Sequence, residues 1–135
     1  MPCIRIETTH GWLAGRNQAL FDGIDRALVE VLGVPPGDSL MRLVCHEAAA
    51  IRLPRSADPC FVLLEVSLFA ERSMPTKRAL YRALTDAVAA LGVAPEQVTV
   101  ALYEVALENW GIRDGRPASE IVFDFPIAGA VRQEA

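Results

Sequence analysis

The chain has 135 residues, a size typical of one domain with a well-buried core. Hydrophobic residues make up 52% and charged residues 22%, which excludes a disordered segment and a disulfide-dense mini-protein. The formal net charge of -4 argues against nucleic acid or an anionic membrane as the main partner. No apolar stretch is long enough to span a bilayer. We therefore expect a single cytoplasmic domain over residues 1–135.

Cysteines and histidines give no sign of a metal or a disulfide framework. Cys3, Cys45 and Cys60 are an odd number of widely separated cysteines without a C-x-x-C pair. His10 and His46 are too isolated in the sequence to form a metal site. No glycine-rich phosphate loop or nucleophile elbow is present either. We expect a protein that uses no metal and no organic cofactor.

The first half of the chain predicts a strand, a helix and a strand. Residues 2–7 alternate apolar and polar side chains, the pattern of a half-buried strand. Over residues 16–32, apolar side chains recur at helical spacing, and Gly33 provides a stop signal. After a Pro-Pro-Gly-Asp turn, the run 39–46 is rich in Leu, Val and Met and predicts a second strand.

The second half repeats this order. Residues 48–59 contain polar residues and prolines typical of a loop, and residues 61–69 form the most hydrophobic predicted strand. Ser73 is a candidate cap for a helix that ends before Gly92. Residues 98–104 predict the last main strand.

The two halves also match in their amino acids, which predicts a tandem repeat with units at about 2–47 and 60–106 and a tail over 107–135. The matching segments are Ala19-Leu20-Phe21 with Ala79-Leu80-Tyr81, and Leu32-Gly33-Val34 with Leu91-Gly92-Val93. Each β-α-β unit makes parallel strands through a right-handed crossover. Two such units most economically share one four-stranded mixed sheet with both helices on one face. The predicted fold is therefore an α/β two-layer sandwich of the split type.

The sheet face opposite the helices is predicted to carry both charged and apolar side chains. Strand alternation places on it Arg5, Glu7, Glu65 and Ser67, with Phe61, Leu63 and Phe69 among them. Such a face is unlike a core and unlike a typical free surface. We interpret it as an oligomer interface, with an ordinary solvated sheet face as the alternative.

Four unlike residues are predicted to meet at one end of this sheet. The strand beginning at Pro2 and the strand beginning after Asp38 start at the same end. If the second unit runs antiparallel to the first, the strand leading to Arg72 and the segment leading to Trp110 arrive there too. A convergence of polar and aromatic residues is the pattern of a binding or catalytic site.

Each of these residues also has a plain structural explanation. Loss of Met1 would leave Pro2 with a secondary amine, and burial beside a cation would lower its pKa and make it a general base or acid. Arg72 precedes a helix, where an anion such as a carboxylate is readily bound, or it forms a surface salt bridge. Asp38 serves equally well as an ordinary turn residue. Trp110 either closes a pocket or packs under the tail.

Five segments, taken in order, resemble the tautomerase superfamily, and most of all its malonate semialdehyde decarboxylase-like group. They are Met1-Pro2-Cys3-Ile4-Arg5-Ile6, the Leu32-Gly33-Val34-Pro35 turn leading to Asp38, Glu71-Arg72-Ser73 with Lys77-Arg78-Ala79-Leu80-Tyr81, Leu91-Gly92-Val93-Ala94-Pro95, and Glu108-Asn109-Trp110-Gly111. The resemblance implies a homotrimer whose sheets face inward. It further implies that Pro2 carries the proton, Arg72 binds the substrate carboxylate, Asp38 orients or activates a polar group or water, and Trp110 helps to wall the pocket.

The chain departs from the family pattern in ways that bear on the substrate. Ala70 stands where some decarboxylases have a second arginine, and Ile112 stands where an aromatic residue often follows the tryptophan. Glu71 replaces the usual glycine before the arginine, and Thr76 replaces a common acidic residue at the helix start.

Three functions are consistent with these residues. The first is keto-enol tautomerisation of a small 2-keto carboxylic acid with Pro2 as general base. The second is decarboxylation or hydration of a 3-oxo acid such as malonate semialdehyde, with a protonated Pro2. The third is a catalytically silent trimer that binds carboxylates or a protein partner. The protonation state of Pro2 at neutral pH separates the first two, and activity of a Pro2→Ala variant identifies the third.

Overall fold

A computed structural model describes residues 1–127 and contains a four-stranded sheet with two helices packed on it. In chain order the main elements are β1 (Cys3–Thr9), α1 (Asn17–Leu32), β2 (Leu40–His46), β3 (Val62–Phe69), α2 (Met74–Ala89) and β4 (Val98–Val105). All six predicted elements are confirmed, within two residues at each end. The last part of the predicted tail, residues 128–135, lies outside the described residues.

The sheet has the strand order β2-β1-β3-β4. Within each unit the strands are parallel, β1 with β2 and β3 with β4, whereas the central pair β1 and β3 is antiparallel. In the register, Cys3 pairs with Leu40 on one side and with Ser67 on the other. The predicted mixed sheet of two β-α-β units is therefore confirmed, and the start of β1 lies beside the start of β2 and the end of β3.

The core lies between the sheet and the two helices. Alternate residues of the central strands point towards the helices and are fully or almost fully buried: Ile4, Ile6, Val62, Leu64, Val66 and Leu68. They meet the apolar faces of α1 and α2, which bury Leu20, Ile24, Leu28, Leu80, Leu84 and Val88. The strand period of two and the helical period of 3.6 thus produce one shared core.

Both helices end or begin at the residues that the sequence indicates. Gly33 adopts a left-handed conformation (φ 69°) after α1, and its N–H donates to the carbonyl oxygen of Val29 at 3.0 Å. The Ser73 hydroxyl accepts a hydrogen bond from the backbone N–H of Thr76 at 3.3 Å and caps α2, with Pro75 in the first turn.

Within residues 1–127, no helix covers the opposite face of the sheet, which carries Arg5, Glu7, Leu63 and Glu65, as expected. Phe69 follows in the same alternation and lies on this face, as predicted, outside the core beneath the helices. It is only 4% exposed, because the chain after β4 folds back and places Trp110 and Phe123 against its ring. The later segment thus buries one end of this face, which strand alternation alone does not predict.

Two further details were not predicted. β1 continues to Thr9, because the buried Thr8 hydroxyl donates to the carbonyl oxygen of Phe61 and accepts from the Trp12 indole at 2.7 Å. After β4, a short hairpin pairs β5 (Gly111–Ile112) with β6 (Arg116–Pro117). Within residues 1–127, no helix is both long enough and apolar enough to cross a membrane.

Candidate active site

The starts of β1 and β2 bring the amino terminus next to Asp38. The backbone N–H of Leu40 donates to the carbonyl oxygen of Pro2 at 3.0 Å, and Pro2 itself is buried. The amino nitrogen of Met1 lies 3.8 Å from the Asp38 carboxylate (Oδ2). The predicted convergence of Pro2 and Asp38 is present in the structure, and it follows from the parallel pairing of the first unit.

The loop that carries Asp38 is fixed by an aspartate of α1. The Asp25 carboxylate accepts the backbone N–H of Gly37 at 3.2 Å and the hydroxyl of Ser39 at 3.3 Å. Asp38 therefore lies between two residues that are held by the same side chain, while its own N–H donates to Pro35 O at 3.2 Å. Sequence reasoning missed Asp25, because nothing in a helical repeat marks which exposed carboxylate faces a distant turn.

Arg72 follows β3 and precedes α2 at the same end of the sheet. Glu71, the residue before it, has a left-handed conformation (φ 74°), which turns the chain from the strand into the helix. The Arg72 Nε is buried, and no acceptor among residues 1–127 lies within hydrogen-bond distance of it. Burial lowers the pKa of Arg72 from its usual value. A guanidinium with a buried, unpaired donor is suited to receive an anion.

Trp110 is part of an aromatic cluster rather than an isolated side chain. Its indole meets the ring of Phe69 edge to face, with centroids 5.4 Å apart, and its Nε1 donates to Val105 O at 3.1 Å. Phe123 packs on Phe69 at 5.5 Å, and Phe125 packs on Phe123 at 5.4 Å. Trp110 therefore packs on Phe69, which is the last residue of β3 and the third residue before Arg72.

A second arginine in this region had no part in the predicted site. Arg113 lies in the turn of the β5–β6 hairpin, where Arg113 and Asp114 both have left-handed conformations (φ 47° and 66°) and Gly115 a third (φ 79°). Its guanidinium carbon lies 5.2 Å from the centre of the Phe123 ring. The run Arg-Asp-Gly three residues after Trp110 is the only sequence signal, and it marks a turn rather than a site.

The charges around the amino terminus change the pKa of its amine in opposite directions. Desolvation by burial has the largest effect and lowers the pKa of the Met1 amino group, while Asp38 and Cys3 raise it. The positive charges of Arg72 and Arg113 lower it further, and the net shift is downward. The amine at the chain start therefore loses its proton more readily than an ordinary amino terminus.

Comparison with known proteins agrees with this arrangement. A family model described as "Tautomerase enzyme" matches residues 38–113. The chain is 30% identical to the FG41 malonate semialdehyde decarboxylase inhibited by 3-bromopropiolate, over 85% of this chain and 92% of that one, with a TM-score of 0.76. It is 26% identical to a second malonate semialdehyde decarboxylase, studied for its decarboxylase and hydratase activities (85% and 93% covered, TM-score 0.75). It is also 26% identical to the Q0 fused 4-OT, a symmetric trimer (86% and 95% covered, TM-score 0.78).

The matched segment 38–113 extends from Asp38 past Trp110 and includes Arg72, and the structural matches cover most of the chain. Their fold is the one described here, with two β-α-β units in one mixed sheet. The chain is therefore a member of the tautomerase superfamily of enzymes, similar to its malonate semialdehyde decarboxylase-like group.

Proposed function

We propose that this enzyme is a cofactor-independent tautomerase that converts the enol of a small 2-keto carboxylic acid into the keto form. Removal of Met1 would expose the secondary amine of Pro2, which acts as the general base. The observation that carries the proposal is the meeting of the chain start, Asp38 and the buried, unpaired Nε of Arg72 at one end of the sheet.

The electrostatics of the site support the base role. Burial and the two arginines disfavour a positive charge at the chain start, which lowers the pKa of the amine there. The nitrogen of Pro2 lies one residue along the chain from the Met1 amine and within the same surroundings. We therefore expect the same surroundings to lower the pKa of the Pro2 amine, which favours the neutral form that can accept a proton.

The proton transfer needs only groups of this chain. The Pro2 amine takes the proton of the enol hydroxyl, while Arg72 holds the substrate carboxylate and stabilises the negative charge that develops on the enolate. The resulting ammonium then donates that proton to carbon 3, and the 2-keto acid leaves. Asp38, whose Oδ2 lies 3.8 Å from the amine of the adjacent Met1, orients the ammonium during the intermediate step. Trp110 borders the bound substrate.

Decarboxylation or hydration of a 3-oxo acid is the second candidate, and one observation favours it. The Asp38 carboxylate stabilises the protonated amine, and a protonated Pro2 would polarise a carbonyl instead of removing a proton. Asp38 would then activate water when hydration competes. The similarity to two malonate semialdehyde decarboxylases points in the same direction. A Pro2 amine that titrates well above neutrality would replace the first proposal with this one.

A homotrimer is the proposed assembly. The open sheet face carries a row of charged residues, since Arg5 lies opposite Arg42 on β2 and Glu65 on β3. The fused 4-OT neighbour is a symmetric trimer of chains with the same fold. Sedimentation equilibrium of the purified protein measures the mass directly, and a monomer at micromolar concentration would contradict this assembly.

The direct test of function is ultraviolet-monitored ketonisation of an aryl enolpyruvate by untagged protein whose mass confirms a free Pro2. A Pro2→Ala variant is expected to retain its fold and lose activity, because its primary amine differs in basicity and position. Arg72→Ala is expected to raise KM or abolish turnover. Full activity in Pro2→Ala would contradict proton transfer by the terminal amine. A parent protein that instead releases carbon dioxide from a 3-oxo acid would establish the second candidate.

A further inference from the structure

The guanidinium of Arg113 contacts an aromatic ring, and within residues 1–127 its N–H groups have no hydrogen-bond acceptor. The guanidinium carbon lies 5.2 Å from the centre of the Phe123 ring, a distance typical of a cation–π contact. Within residues 1–127, it forms no ion pair and donates no hydrogen bond. A guanidinium has five N–H donors, so this side chain keeps donors with which it can bind an anion.

The hairpin that carries Arg113 is anchored beside the candidate active site. Trp110 and Phe123 precede and follow the hairpin, and both rings pack on Phe69, three residues before Arg72. The hairpin backbone is also tied to this cluster, because the N–H of Ala118 donates to the carbonyl oxygen of Trp110 at 2.8 Å. The positive charge of Arg113 acts on the terminal amine together with that of Arg72. The packing of Trp110 and Phe123 on Phe69 therefore places the Arg113 hairpin at the end of the sheet where Arg72 lies.

We propose that Arg113 is a second anion-binding residue of the active site, so that the enzyme takes substrates with two negatively charged groups. One carboxylate binds Arg72, and the other binds Arg113 on the far side of the reacting carbon. This inference rests on the proposed function, since it assigns the substrate class of the same site. It is distinct from the proton transfer, which needs only the carboxylate on Arg72.

The test compares the binding of saturated dicarboxylates from malonate to adipate with that of monocarboxylates of equal carbon number. Binding is followed through tryptophan fluorescence of the processed protein, and no turnover is needed. The parent protein is expected to bind its best dicarboxylate about three- to tenfold more tightly than the matched monocarboxylate, the range for one partly exposed charged hydrogen bond. Arg113→Gln should abolish this preference and leave the affinity for the monocarboxylate unchanged.

A matched control comes from the same hairpin. Arg116 carries the same charge but donates to the carbonyl oxygen of Glu120 at 3.3 Å, so Arg116→Gln should keep the preference for the dicarboxylate. Equal affinities of the parent protein for a dicarboxylate and the monocarboxylate of equal carbon number would overturn the proposal. An Arg113→Gln variant that keeps the preference for the dicarboxylate would also overturn it, as would one whose affinities for both acids fall by the same factor. Pro2→Ala separates the two proposals: it tests turnover, and it should leave the binding preference intact.

Discussion

Replacing Glu71 with glycine should stabilise the protein, although the position is exposed and adjoins the candidate active site. Glu71 has φ 74°, in the left-handed region that disfavours residues with a Cβ atom. Its carboxylate forms no hydrogen bond or ion pair with any residue of the 1–127 range. Its removal therefore costs no described contact, and the backbone conformation decides the outcome.

The size of the effect follows from two opposing terms. A residue with a Cβ atom in the left-handed region costs about 1–2 kcal/mol relative to the right-handed conformation, and glycine removes that cost. Glycine also gives the unfolded chain more conformational freedom, which costs about 0.4–1 kcal/mol. The difference predicts that Glu71→Gly raises the free energy of unfolding by about 0.5–1 kcal/mol.

Urea denaturation followed by tryptophan fluorescence measures this change, with all variants at one protein concentration because assembly contributes to stability. Glu71→Ala is the matched control, since it removes the same carboxylate but keeps the Cβ atom, and it should stay close to the parent. A glycine variant that is less stable than the parent would refute the reasoning. A glycine variant and an alanine variant of equal stability would show that the lost carboxylate, not the backbone, sets the effect.

Three further outcomes are expected. Asp25→Ala removes the acceptor for the Gly37 N–H and the Ser39 hydroxyl. It should lower the free energy of unfolding by about 1–2 kcal/mol and reduce kcat. An unchanged kcat would show that Asp38 keeps its position without Asp25. Leu64→Ala leaves a cavity at a fully buried position and should lower the free energy of unfolding by about 2–5 kcal/mol in the same urea assay. A decrease below about 1 kcal/mol would contradict the described core. Because burial lowers the pKa of the terminal amine, the ketonisation rate should rise with pH through an apparent pKa below the ordinary range of such amines; a rate that falls across neutral pH would identify the protonated amine as the active form.

The topology and most of the site were predictable because they depend on short-range patterns. Periodicity identified the strands and helices, and the tandem repeat required two parallel pairs joined in one mixed sheet. With the second unit antiparallel to the first, the starts of β1 and β2 and the chain after β3 were expected to share one end of the sheet. This placed Pro2, Asp38 and Arg72 together before any distance was known.

The remaining features depend on contacts between residues far apart in the sequence. The left-handed conformation of Glu71 arises at a residue whose type disfavours it, so propensity predicts the opposite. The burial of Phe69 and the stacking of Arg113 both require Phe123, which comes from a segment with no clear periodicity. Asp25 gains its role only when α1 packs beside the loop after it. Such pairings are set by the folded arrangement and leave no local pattern.

The antiparallel pairing of β1 and β3 makes the two ends of the sheet chemically unequal. The residue before β3 that corresponds to Pro2 is Phe61, and it lies at the other end, beside Thr8 and Thr9 of β1. Its nitrogen is a peptide amide that donates to Asp58 O at 3.1 Å, so it has no basicity and no free lone pair for a proton. Under the proposed function, each chain therefore offers one basic terminal amine, at the start of the first unit. The second unit would contribute Arg72, which follows β3, to the same site.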